Sequence, residues 1–191
     1  EDITHVMSGY HGMLCARVFD HRVLHRMAAV SSVPVVNMLS DFAHPLQSVA
    51  DVLTMQQNLG HLAGKTVTYV GDFNNVARSL CEASAMLGMH IRLSCPEGYD
   101  AHDNELLGLN ELGAASVEQY RDVSIAVQDA HAVHTDTWTS MGQESESAER
   151  EAVFAGYQVT DEIMSLADSK AIFMHCLPAH RGQEVTSSVI D

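Results

Sequence analysis

Basic residues are scarce in this 191-residue chain. Ten Lys and Arg stand against 25 Asp and Glu, a formal charge of −15 with histidine neutral. No basic stripe can follow a phosphate backbone, so no nucleic acid is expected as a partner. Paired cysteines are missing as well. Cys15, Cys81, Cys95 and Cys176 lie far apart with no CxxC, in apolar or helix-like stretches. They read as reduced thiols of a cytoplasmic protein rather than as a disulfide framework. No apolar run approaches the roughly 20 residues of a membrane span and no signal peptide is read, so no membrane is expected. There is no internal repeat and no low-complexity segment. A glycine-rich phosphate turn is absent too: Gly71-Asp72-Phe73-Asn74-Asn75 has one glycine where a dinucleotide fingerprint needs three. That disfavours a nucleotide cofactor. An initiator Met is also lacking. The chain opens on Glu1-Asp2-Ile3 and stops at Asp191 just after a helix-like start, and both ends are expected to be cut from something longer.

What is present is apolar sequence, 46% of the chain, enough for a sizeable core and for one full domain with part of another. Its periodicity alternates between helix and strand. Strands are expected over 13–19 (ending near Arg17), 33–39, 66–70, 90–95, 116–118, 132–136 and 171–174. Helices are expected over 3–9, from Asp20 through Ala28, and over 76–87, 103–112 and 121–130, with another opening at Thr160. Pro45 suits a helix start, and Leu46, Val49, Ala50 and Leu53 repeat at helical spacing to a Gly60 stop. That helix, over 46–60, reads as a connector between residues 1–45 and 61–191. The alternation predicts an α/β fold with a parallel sheet. Residues 143–151 read as an acidic, exposed run.

Several polar residues fall at strand ends, where open α/β sheets collect ligands. Pro178 cannot continue a ladder, so His175-Cys176-Leu177-Pro178 closes the last strand. A cysteine there is more often core than site when taken alone. Asp136 ends another strand before a loop holding Ser140 and Gly142. Its carboxylate could hold an ammonium, although an isolated Asp there is more often a turn residue. The acidic field of the chain suits such a cation, and simple solubility explains it equally well. Asn75 stands at a helix N-terminus, where free N–H groups attract a carboxylate; that Asn74 or Asn75 merely caps the helix carries equal weight. His44 and Gln47 lie three apart at a helix start and can reach one ligand. With Arg17 they suit a phosphate-bearing one, against a plain surface ion pair for Arg17. His21 and His25 sit at i, i+4, but Arg22 stands where a zinc motif has Glu and no third ligand is near. A solvated helix face is expected there, and no metal. His131 and His134 face opposite ways on a strand.

Together the stretches His44-Pro45-Leu46-Gln47, Gly71-Asp72-Phe73-Asn74-Asn75, Asp136-Thr137-Trp138-Thr139-Ser140-Met141-Gly142 and His175-Cys176-Leu177-Pro178 occur in the order and approximate spacing of the ornithine carbamoyltransferases. The sequence resembles that family over almost its whole length. The resemblance implies transfer of a carbamoyl group from carbamoyl phosphate to the δ-amine of L-ornithine, giving L-citrulline and phosphate in arginine biosynthesis without metal or cofactor. It implies a homotrimer, or a multiple of one, in the full-length protein, with active sites at subunit boundaries. Residues 1–45 would be the end of a carbamoyl-phosphate domain, 46–60 the interdomain helix, and 61–191 a Rossmann-like ornithine domain. Arg17, His44, Pro45, Leu46, Gln47, Cys176 and Leu177 would contact carbamoyl phosphate. Asn75, Asp136, Ser140 and Met141 would hold ornithine, and Cys176, Asp136 and His44 would be catalytic. The His-Cys-Leu-Pro stretch argues against the aspartate enzyme. The Ser140–Gly142 loop favours ornithine over putrescine.

The family's Ser-Thr-Arg-Thr phosphate loop belongs before residue 1, and its closing helices and their arginine after Asp191. The 191 residues alone are therefore expected to be nearly inactive. The alternatives are a non-catalytic amino-acid-binding module on the same scaffold and a carbamoyltransferase for a related amine such as putrescine.

Overall fold

The computed structural model describes residues 1–139 and 144–191. Its N-terminal part holds α1 (Asp2–Ser8), β1 (Leu14–Arg17), α2 (Arg22–Val30) and β2 (Val35–Leu39). The two strands pair in parallel as a sheet of their own. Then comes α3 (Pro45–Leu59), with proline at its start and Gly60 ending it at φ +75°. Proline costs nothing at that first turn because its missing N–H has no helical partner there.

A second, five-stranded sheet follows. Its strands are β3 (Thr66–Val70), β4 (His90–Ser94), β5 (Ser116–Tyr120), β6 (Ala132–Thr135) and β7 (Ile172–His175). The order across the sheet is β5-β4-β3-β6-β7, and every pairing is parallel. The chain thus works outward from β3 to β5 and then returns to lay β6 and β7 on the other side. Such a reversal opens a crevice at the carboxyl ends of the strands that flank it, here β3 and β6. The protein is an α/β fold with parallel sheets, as its periodicity predicts.

Both faces of the large sheet are covered. On one, Val67, Tyr69 and Ile91 pack with Met55 of α3 and with Leu80 and Cys81 of α4 (Asn75–Met86). On the other, Val70 and Val133 pack with Val123 and Val127 around α6 (Val123–Ala126). Burial on both sides explains why β3 is buried at all five positions, as central parallel strands are. Among the described residues no helix is long and apolar enough to cross a membrane.

The structure corrects the sequence reading in three places. The strand expected to stop at 118 continues to Tyr120. The helix expected over 121–130 is the single turn α6. Asp122 caps its start by accepting the Ser124 N–H, and Asp129, at φ +54°, turns the chain away after it. The acidic run is not simply solvated. From Glu144 onward it forms a short 3₁₀ turn and then α7 (Ser147–Phe154), whose Arg150 is only 2% exposed. The remaining helices are α5 (Asp103–Leu112), α8 (Asp161–Met164, capped by Thr160) and α9 (Ser187–Ile190).

Candidate functional site

At the carboxyl ends of β1, β3, β6 and β7 lies a cavity of about 490 Å³, bordered by Arg17, His44, Asn75, Asp136 and Cys176. Asp136 follows β6 and is 8% exposed. Its carboxylate is held by three donors. Oδ1 accepts the Thr137 N–H at 2.8 Å and the Cys176 thiol at 3.0 Å, and Oδ2 accepts the Asn74 amide at 2.8 Å. A carboxylate offers about four lone-pair sites, so one on Oδ2 is left for a ligand. Asn74 is itself fixed: its side-chain oxygen caps α4 by accepting the Val76 and Ala77 N–H groups. The β3–α4 turn and the end of β6 are therefore joined through one amide at the point where strand order reverses.

Cys176 stands 40 residues after Asp136 in sequence and bonds it directly. Burial, with the negative charge of Asp136, pushes its pKa far above the ordinary thiol value. At neutral pH it is a thiol that donates a hydrogen bond, not a nucleophilic thiolate. The residue before it serves as a brace. His175 Nδ1 accepts the Leu177 N–H at 2.8 Å, which leaves the proton on Nε2, facing the buried Glu184 at 3.0 Å. Leu177 is thereby held at φ +60°, an uncommon conformation for a residue with a side chain. Ligating atoms of Asp136, His175 and Cys176 lie within 4.8 Å of one another. However, both His175 nitrogens are already engaged, so this trio does not make a ready metal site.

The opposite wall is less closed. Arg17, at the end of β1, is exposed. His44 begins α3 and its main-chain N–H donates to Ser79 Oγ at 2.9 Å, but its buried Nδ1 has no partner among the described residues. Burial, followed by the nearby Arg17 charge, holds the His44 pKa below its usual value, so the ring is neutral at pH 7.

Of the residues that sequence reasoning singled out, the structure brings Arg17, His44, Asn75, Asp136, Cys176 and Leu177 to this cavity. Asn75 borders it with its side chain already tied, donating to the Ser40 carbonyl at 2.6 Å. Pro45, Leu46 and Gln47 lie further along α3 and do not line it. Gln47 turns instead to Asp51 Oδ1 at 2.9 Å. Ser140 and Met141, with Gly142, lie outside the described residues. His21, read as part of a solvated helix face, turns inward: its Nδ1 is 2.8 Å from Ser40 Oγ and its ring packs on Phe42.

Sequence reasoning missed Asn74 as a support for Asp136, and it missed Arg150 altogether. The Arg150 guanidinium donates to the Asp72 carboxylate and the Trp138 carbonyl, and it lies 4.8 Å from the Tyr99 ring centre and 5.2 Å from that of Phe154. Burial raises the Asp72 pKa, and Arg150 opposes that shift. The available signal was a single basic residue inside an acidic run.

A model of the aspartate/ornithine carbamoyltransferase carbamoyl-P binding domain matches residues 1–57, and one of the Asp/Orn binding domain matches residues 63–191. A curated relative from Hyperthermus butylicus, named ornithine carbamoyltransferase, is 49% identical, the match covering 100% of this chain and 62% of that protein. One from Pyrococcus furiosus, named ornithine carbamoyltransferase, anabolic, is 44% identical over 100% of this chain and 61% of its own length. The solved ornithine carbamoyltransferase from Pyrococcus furiosus superposes with a TM-score of 0.92 at 43% identity, over 100% of this chain and 62% of that one. The chain thus spans a little over three fifths of the length of these relatives.

Proposed function

The chain belongs to the aspartate/ornithine carbamoyltransferase family, and from that premise we propose that the protein carrying it moves the carbamoyl group of carbamoyl phosphate to the δ-amine of L-ornithine, releasing L-citrulline and phosphate. The observation that carries this reading is a single cavity with a hydrogen-bonded carboxylate on one wall and an arginine and a neutral histidine on the other. One wall suits a cation and the other an anion, which fits these two substrates. On the same resemblance the working form is a cytoplasmic homotrimer.

The δ-amine attacks only as the neutral base, since an ammonium has no lone pair, and such amines titrate near ~10.4. The remaining acceptor site on Asp136 Oδ2 orients the amine and receives its hydrogen bond. Cys176 on Oδ1 and Asn74 on Oδ2 keep the carboxylate from rotating. The amine nitrogen forms a bond to the carbamoyl carbon, the bond from that carbon to the bridging oxygen breaks, and phosphate leaves with the electron pair, taking up the proton that the amine nitrogen sheds. His44 is neutral and free at one ring nitrogen, and it stabilises the oxygen on which charge develops. Arg17 holds the phosphate side, with Leu177 at the boundary between the substrates. Asn75, whose amide keeps one N–H beyond its bond to Ser40, takes the amino-acid end of ornithine with Ser140 and Met141. Holding two reactants in register can remove ~7–11 kcal/mol from a barrier.

The test is citrulline formation by a full-length protein carrying this sequence. Turnover with ornithine and carbamoyl phosphate, and no burst of phosphate when ornithine is withheld, is the expected result. Ornithine binding without citrulline would make the protein a binding module, and a preference for putrescine would overturn the choice of amine.

A further inference from the structure

Behind the cavity, between α3 and the large sheet, lies a polar cluster that the reaction described above does not use. His134 on β6 is 0% exposed, and Asp51 on α3 is 4% exposed. His134 Nε2 is 3.5 Å from Asp51 Oδ2, an ion-pair distance rather than a hydrogen bond, and neither these two atoms nor His134 Nδ1 has a hydrogen-bond partner among the described residues. The other Asp51 oxygen accepts the Gln47 amide at 2.9 Å. His134 is the register partner of Tyr69 on β3, and the two rings stack with centres 5.7 Å apart. Apolar side chains would fill such a space with less desolvation cost, since a buried ionic pair often adds no stability over packed hydrophobic residues. A buried acid facing a buried imidazole therefore calls for a role other than stability.

Its position supplies one. Asp51 lies about two turns along α3 from His44, and His134 lies two residues before Asp136. The pair thus connects the helix that carries one wall of the cavity to the strand that carries the other. Apolar packing of Met55 under the same helix tolerates small slips; a buried acid and imidazole that have only each other as polar neighbours for these atoms do not. We propose that Asp51 and His134 form a buried latch that registers the His44–Gln47 turn against the strand end bearing Asp136. They are positioning residues for the carbamoyl transfer. The inference rests on the carbamoyl-transfer reading. Each substrate keeps its own wall when the latch is removed, but the distance between the two reacting atoms is no longer set.

The experiment uses the full-length protein, with Asp51→Leu/His134→Phe as a double variant and Asp51→Asn alone. The double variant replaces the pair by apolar groups of similar size, so its melting temperature is expected to hold or rise. Its kcat is expected to fall about 10–100-fold with both KM values within about twofold, because a shift near 1 Å costs that much. Asp51→Asn keeps an acceptor for Gln47 and a polar partner for His134, and is expected to restore kcat to near that of the unsubstituted protein. An undiminished kcat in the double variant overturns the latch, as does a loss that appears only in KM or only in the melting temperature. A second readout needs no turnover. In ¹⁵N spectra of the imidazole, His134 is expected to carry its proton on Nε2 and to change tautomer in Asp51→Asn, and an unaltered ring overturns the latch. Absence of citrulline with the unsubstituted protein contradicts the carbamoyl-transfer reading itself, and the ring spectra then decide the latch separately.

Discussion

The two walls of the cavity are built on opposite plans. On the Asp136 side the polar atoms are served by the protein: three donors on the carboxylate, Asn74 locked as a helix cap, and His175 braced between Leu177 and Glu184. On the Arg17 side the arginine is exposed and the buried His44 Nδ1 has no partner among the described residues. The difference teaches where each wall draws its order from. The first is set by folding, so its defects should appear as lost stability as well as lost binding. The second is completed by its ligand, so at neutral pH its defects should appear mainly in binding.

The sharpest way to break this contrast is Arg150→Ala. It removes the buried member of the pair and strips the partner from the partly buried Asp72, in the turn that holds Asn74. Removing one member of a buried pair costs about 3–5 kcal/mol. Urea unfolding should therefore show a fall of that order; a change below about 1 kcal/mol would show that the Asp136 wall does not depend on this support. Asn74→Ala comes next. It deletes a helix cap worth about 1 kcal/mol and one donor to Asp136. Lower stability together with a raised KM for ornithine is expected, and a stable protein with unaltered KM would contradict the shared role.

The smallest effect belongs to the open wall. Burial and Arg17 make His44 harder to protonate in the folded state than at its ordinary value of 6.5. Its contribution to stability is thus present above that pH and lost as pH falls through the depressed folded value. Melting curves should show the unsubstituted protein losing stability relative to His44→Gln only below about pH 6.5. A divergence that begins above neutrality would contradict the sign.

Much of this architecture is legible in the residues. Alternating periodicities place the strands and the long helix, Pro45 and Gly60 bound that helix as expected, and polar strand ends point to Asp136 and Cys176. What stays hidden depends on tertiary partners. Arg150 sits in a run that reads as solvent-facing, and the groups that make its burial tolerable, among them Asp72 on a distant turn and the Trp138 carbonyl, meet it only in the fold. Asn74 looks like any capping residue until β6 brings Asp136 beside it. Gln47 has the spacing to share a ligand with His44, yet an i, i+4 neighbour, Asp51, captures its amide. His134 reads as one member of a pair on opposite faces of a strand; its contact with Asp51 exists only because α3 lies over that part of the sheet.

The most direct test of the two-wall account is a crossed measurement of both KM values in Asp136→Asn and Arg17→Ala, made in a full-length protein carrying this sequence. Asp136→Asn should raise KM for ornithine about 10–100-fold, the scale of a charged hydrogen bond, and leave carbamoyl phosphate nearly unchanged. Arg17→Ala should do the reverse. Equal losses for both substrates in either variant would contradict the division of the site into a cation wall and an anion wall.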